Sequence, residues 1–97
     1  EIKNNDTAVF KYIDFNKKLK KFKIKTFNAL GGLIEVRIDR PKGKKIAEVN
    51  ISKQEDKTSF QIDETNIEQT KGKHAVYLIC KGESDKVLFD IDWFTFY

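Results

Sequence analysis

The sequence predicts an all-β chain folded as an antiparallel sandwich, and three observations predict it. Apolar and charged residues alternate with a period of two, as where Phe22, Ile24 and Thr26 are set against Lys21, Lys23 and Lys25. Polar stretches and Gly- or Pro-containing turns recur between such runs, and no segment keeps the spacing of an amphipathic helix. Strands with one buried and one wetted face belong to antiparallel sheets, and about seven of them are expected.

Lys21 to Thr26 makes the first clear strand. Ile34, Val36 and Ile38 repeat the pattern against Glu35, Arg37 and Asp39. Arg40-Pro41-Lys42-Gly43-Lys44 then turns the chain into Ile46, Ala47, Val49 and Ile51, which closes a hairpin. Ser52 to Lys57 reads as a loop before a strand from Thr58 to Ile62, and Asp63 to Lys73 reads as a second loop, too polar for core. Ala75 to Cys80 is a continuous apolar strand that Gly82 ends, and Glu83-Ser84-Asp85-Lys86 is a turn. The closing run Leu88 to Tyr97 concentrates aromatics and is expected to be a buried strand. Within it Asp90 and Asp92 share one side of a two-residue period, where carboxylates need hydrogen bonds, a metal or an open rim.

Ninety-seven residues make one domain, 1–97, with no apolar run of membrane-spanning length. Glu1 to Asp6 has no signal-peptide character. Cys80 is the only cysteine, which excludes an internal disulfide and a thiolate zinc cluster, and its place in the apolar run Ala75 to Cys80 makes it an inert core residue. The net charge of +4 is concentrated in Lys17, Lys18, Lys20, Lys21, Lys23 and Lys25, and again in Arg40, Lys42, Lys44 and Lys45. Without an aromatic interleaved on that face for base stacking, the run reads as a solvated sheet surface, and nucleic acid is disfavoured. Catalysis is disfavoured too. His74 has no Ser, Cys or carboxylate spaced to partner it, and Asp90 and Asp92 lie on one strand, whereas glycosidase acids flank a bond from opposing walls.

Three stretches together resemble the family 6 carbohydrate-binding modules: Gly32-Leu33-Ile34-Glu35-Val36-Arg37-Ile38-Asp39 with Pro41 and Gly43, Gly72 to Gly82, and Leu88-Phe89-Asp90-Ile91-Asp92-Trp93-Phe94-Thr95-Phe96. Ile2-Lys3-Asn4-Asn5-Asp6 is similar to the family's early loop. The resemblance implies a jelly-roll sandwich, attached in its family to bacterial plant-polysaccharide hydrolases and here lacking the opening strands that precede that loop. It implies a sugar cleft at the loop end whose two aromatics match Glu1 and Lys57 and whose asparagine matches Asp90. A second site on the concave face matches Thr7. Asp92 matches one ligand of a structural calcium, and since a hard cation needs several oxygens the site is expected to be incomplete. The implied function is a non-catalytic module of a secreted or periplasmic glycoside hydrolase, with a degenerate site weakly binding a plant-type or acidic polysaccharide. The alternative is a structural sandwich packed on a neighbouring catalytic domain. An edge left open by missing strands implies an edge-mediated dimer.

Overall fold

The computed structural model describes residues 6–27, 31–53, 60–82 and 90–97, the side chains of 6–11 excepted. Among these, the strands are β1 (Asp6–Asp14), β2 (Lys21–Phe27), β3 (Gly32–Ile38), β4 (Lys45–Ile51), β5 (Phe60–Asn66), β6 (Lys73–Lys81) and β7 (Asp90–Phe96), with a 3-10 turn at Phe15–Lys17. They form a four-stranded sheet, β1-β6-β3-β4, and a three-stranded sheet, β5-β2-β7. Every pairing is antiparallel. This is the antiparallel sandwich of jelly-roll type that the sequence predicts.

Period-two alternation becomes the core directly. Phe22, Ile24 and Thr26 of β2 are fully buried, and Ile34 and Val36 of β3 meet Val76, Leu78 and Cys80 of β6 in the same cluster. The β3–β4 hairpin forms where it is expected, with a bulge after Val36 that leaves consecutive residues Ile46 and Ala47 both buried. Four phenylalanines form an aromatic cluster at the core: Phe22 lies 5.9 Å from Phe94 and 5.2 Å from Phe96 on the inner side of the three-stranded sheet, and Phe96 lies 5.6 Å from Phe15 of the 3-10 turn, ring centre to ring centre.

Two expectations need correction, and one strand is added to those named. The closing strand is not buried, because β7 lies at the edge of its sheet and only Ile91, Phe94 and Phe96 turn toward the core. A bulge opposite Lys25 and Thr26 makes Asp92 and Trp93 both face solvent. Asp63 to Asn66 is strand rather than loop, since β5 is the other edge, where polar side chains still reach water. Register sets Gln61, Asp63 and Thr65 opposite buried Thr26, Ile24 and Phe22, so β5 turns its polar residues inward and leaves Phe60 and Ile62 outside. Burial raises the pKa of Asp63, and among the described residues neither its Oδ2 nor Thr26 Oγ1 has a hydrogen-bond partner. Finally, β1 is a strand that the pattern does not single out, its alternation being broken by a bulge at which Tyr12 takes a φ of 52°.

Register also orients the sandwich. Phe27 pairs with both Phe60 and Asp90, Gly32 with Ile51, and Leu33 with Lys81. The ends of β2, β4 and β6 and the starts of β3, β5 and β7 therefore gather at one end, here the loop end. The other end, the base, carries Phe15–Lys20, the hairpin turn and residues 67–72.

Candidate functional site

The outward face of the three-stranded sheet is built by residues of one parity: Lys21, Lys23, Lys25 and Phe27 on β2, Phe60, Ile62 and Glu64 on β5, and Trp93 and Thr95 on β7. At its loop end Asp90, Phe27 and Phe60 stand side by side on three adjacent strands. Lys25 reaches into this row, its ammonium 4.2 Å from the centre of the Phe60 ring, 5.4 Å from that of Phe27 and 3.5 Å from the Asp92 carboxylate. Aromatics thus do interleave with the lysines, which corrects the sequence reading; they come from neighbouring strands, and only the register reveals it. Lys21 pairs with Glu64 at 3.1 Å, and the Tyr97 hydroxyl donates to the same carboxylate, holding Glu64 below and Tyr97 above their ordinary pKa values.

Of the residues that the resemblance assigns to sugar, the structure places Asp90 at the loop end, at the first position of β7. Glu1 and Lys57 lie outside the described residues. Phe27 and Phe60 are absent from the sequence-derived site. The signal for Phe27 was its place after Lys21, Lys23 and Lys25, where a fourth charged residue would continue the pattern. An aromatic ring bordered by a carboxylate and an ammonium offers an apolar face and groups for hydroxyls, but no activated nucleophile.

Thr7 is a residue of β1, in the other sheet. In β1 it pairs with Ile79, which pairs with Glu35, which pairs with Glu48, in one row across the four-stranded sheet. The Thr7 side chain is outside the description. Glu35 is 6% exposed and is held by Lys81 at 2.9 Å, Arg37 at 3.2 Å and Lys45 at 3.8 Å. Burial pushes its carboxyl up, but the Lys81 hydrogen bond and the charges of Arg37 and Lys81 outweigh that and hold it below the usual range. Arg37 is fixed in turn by donating to the Gly43 carbonyl at 2.8 Å.

His74 does have a carboxylate partner, contrary to the sequence reading. Its Nδ1 meets Asp39 Oδ1 at 2.7 Å and its Nε2 meets the Lys71 carbonyl at 2.7 Å. Asp39, thirty-five residues away in sequence, is brought in by the β3–β6 pairing and sits in the left-handed region at φ 73°. Two acceptors on one ring favour the doubly protonated form, so the Asp39 hydrogen bond first, then that of Lys71, raises the pKa. A raised folded-state pKa adds stability that is fully present below the unfolded value near 6.5 and lost as pH rises through the folded value. We expect His74→Gln to cost about 0.5–1 kcal/mol at mildly acid pH, discounted for solvent exposure, and less at pH above 8. Urea unfolding at two pH values measures it; a cost that does not change with pH would refute the imidazolium.

The Asp92 carboxylate, 42% exposed and paired with the Lys25 ammonium, does not fit a calcium site. A cation with six to eight oxygen ligands is repelled by that ammonium, and among the described residues no three His, Cys, Asp or Glu side chains converge. Thermal melts with excess calcium and with chelator should coincide within about a degree, since only a bound ion shifts them. A rise of many degrees would reveal ligands elsewhere.

Comparison with known proteins follows the geometry. The family model described as carbohydrate binding module (family 6) matches residues 1–97. A family 6 module from Clostridium cellulolyticum, solved in complex with xylose, is 32% identical and superposes with a TM-score of 0.91, covering 99% of this chain and 74% of that one. An arabinoxylan arabinofuranohydrolase of Bacillus subtilis is 29% identical over 96 residues, covering 98% of this chain. A crystal structure of a glycoside hydrolase family 43 arabinoxylan arabinofuranohydrolase from Bacillus subtilis, in complex with cellotetraose, is 29% identical and superposes with a TM-score of 0.90, covering 98% of this chain and 20% of that one. The chain spans only 19% of the length of the curated arabinofuranohydrolase it matches. A β-1,3-glucan-binding family 6 module from Bacillus halodurans superposes at 0.88 with 24% identity over 98% of this chain and 72% of its own, a likeness of fold alone.

Proposed function

The chain belongs to the family 6 carbohydrate-binding modules, and from that membership we propose that it is the non-catalytic, glycan-targeting part of a glycoside hydrolase that degrades polysaccharide outside the cytoplasm, in the medium or the periplasm. The match of the whole chain to a binding family carries this reading. Asp90 beside Phe27 and Phe60 supports the loop end as its site.

Affinity there is weak for neutral sugar. A pyranose lies with its C–H face on an open ring, and the Phe60 ring already has an ammonium 4.2 Å from its centre. Hydrogen bonds to hydroxyls exchange with water at small net gain, so a dissociation constant of about a millimolar, near −4 kcal/mol, is expected. Calorimetric titration with xylo-, cello- and arabino-oligosaccharides tests it. Micromolar binding that disappears in Asp90→Ala would mean that the site is fully competent.

A second reading, a sandwich that docks on a neighbouring catalytic domain, is favoured by one observation. Phe60, Ile62, Trp93 and Tyr97 leave 38–54% of their surface exposed on a single sheet face, a cluster of exposed apolar groups of the kind that marks an interaction surface.

A further inference from the structure

We propose that the groove at the base of the sandwich, opposite the loop end, is a second glycan site that takes an anionic sugar, the uronic-acid unit of an acidic polysaccharide. The inference rests on the carbohydrate-binding reading but concerns different residues. The groove encloses about 780 Å³ between Phe15–Lys20 and Ile67–Lys71, within the range of about 300–1,000 Å³ typical of small-ligand sites.

Its walls are built, not draped. Ile67 N–H donates to the Lys20 carbonyl at 2.9 Å, Phe15 N–H to the Gly72 carbonyl at 2.9 Å, and Gly72 N–H to Asn16 Oδ1 at 3.0 Å, so the two segments are stitched together at both ends. Leu19 and Ile67 supply an apolar floor on the margin of the core, suited to the C–H face of a sugar ring. Asn16, Gln69 and Thr70 supply amide and hydroxyl groups for sugar hydroxyls. Lys18, Lys20 and Lys71 supply three ammonium groups, and no Asp or Glu lines the groove.

These lysines differ from Lys21 and Lys25 on the sheet face. Lys21 and Lys25 are neutralised by Glu64 and Asp92 on the sheet face, whereas among the described residues Lys18, Lys20 and Lys71 make no ion pair. A carboxylate entering the groove meets three uncompensated cations over an apolar floor. That combination selects a uronic acid over a neutral sugar, which gains nothing from the charge, and over a bare anion, which gains nothing from the floor. Nucleic acid fits less well because Phe15, the aromatic of the groove, is 2% exposed and offers no face to a base.

The test is amide chemical-shift mapping on the whole 97-residue chain, titrated separately with trigalacturonic acid, xylotriose and a short oligothymidylate. Trigalacturonate should shift residues 16–20 and 67–71 at low salt and xylotriose should not. Lys20→Ser with Lys71→Ser should weaken trigalacturonate about tenfold or more while the spectrum stays dispersed and thermal stability is kept. Shifts confined to the surroundings of Asp90, or no shifts at all, would overturn the base site and leave the loop-end reading standing. Oligothymidylate binding the base as tightly as trigalacturonate would overturn the sugar assignment.

Discussion

Phe22→Ala should remove about 3–5 kcal/mol of stability, the range for losing a fully buried phenylalanine, from a fold whose total is on the order of 5–15 kcal/mol. Phe22 is 0% exposed and touches both rings that β7 sends inward, Phe94 and Phe96. The space cannot close by collapse, because β2 is fixed by its ladders to β5 on one side and β7 on the other, with Phe22 paired to Thr65 and to Phe96. β7 is an edge strand, held by its ladder to β2 and by these ring contacts, and Asp90 sits at its far end. Urea denaturation measures the loss, and Phe22→Leu should cost much less because it fills most of the volume. A Phe22→Ala cost below about 1 kcal/mol would mean that the aromatic cluster does not hold the core together.

What the sequence shows of the fold is what the period-two pattern carries. The alternation in β2 and β3 and the Pro41–Gly43 turn are local signals, and the structure keeps them. The errors fall where tertiary position overrides the local signal. Aromatic content alone makes residues 88–97 look central, yet β7 is an edge strand whose apolar residues serve one face. Polar residues make 63–66 look like loop, yet an edge strand tolerates Asp63 facing inward at the cost of a raised pKa.

The site is less legible for the same reason. Phe27 and Phe60 are thirty-three positions apart and become neighbours only through the β2–β5 register, as His74 and Asp39 do through β3 and β6. No spacing rule reaches such pairs. The lysine run is a further case: one continuous stretch of sequence divides at the start of β2, leaving Lys18 and Lys20 at the base and turning Lys21, Lys23 and Lys25 onto a sheet face.

Gly43→Ala should be nearly as damaging as the core change, at about 1–3 kcal/mol, although the residue lies in a turn. A β-carbon there would stand 2.0 Å from the Ile38 carbonyl oxygen and 3.0 Å from that of Arg40, both backbone atoms that cannot swing aside. Relief requires opening the turn, which breaks Ile38 N–H to the Lys44 carbonyl at 3.0 Å and Gly43 N–H to the Arg40 carbonyl at 2.9 Å. It also moves the Gly43 carbonyl that anchors the Arg37 guanidinium, one of the three cations around Glu35. The lowered Glu35 pKa contributes stability that is present above the unfolded value near 4.5 and lost as pH falls through the folded value. With Arg37 released, that depression shrinks. Gly43→Ala should therefore lose stability at neutral pH from the turn, and its acid unfolding should begin at a higher pH than in the parent chain. Lys42→Ala, fully on the surface of the same turn, is the control and should change neither. A Gly43→Ala protein within about 0.5 kcal/mol of the parent, with an unchanged acid limb, would mean that the hairpin turn yields without disturbing Arg37 or Glu35.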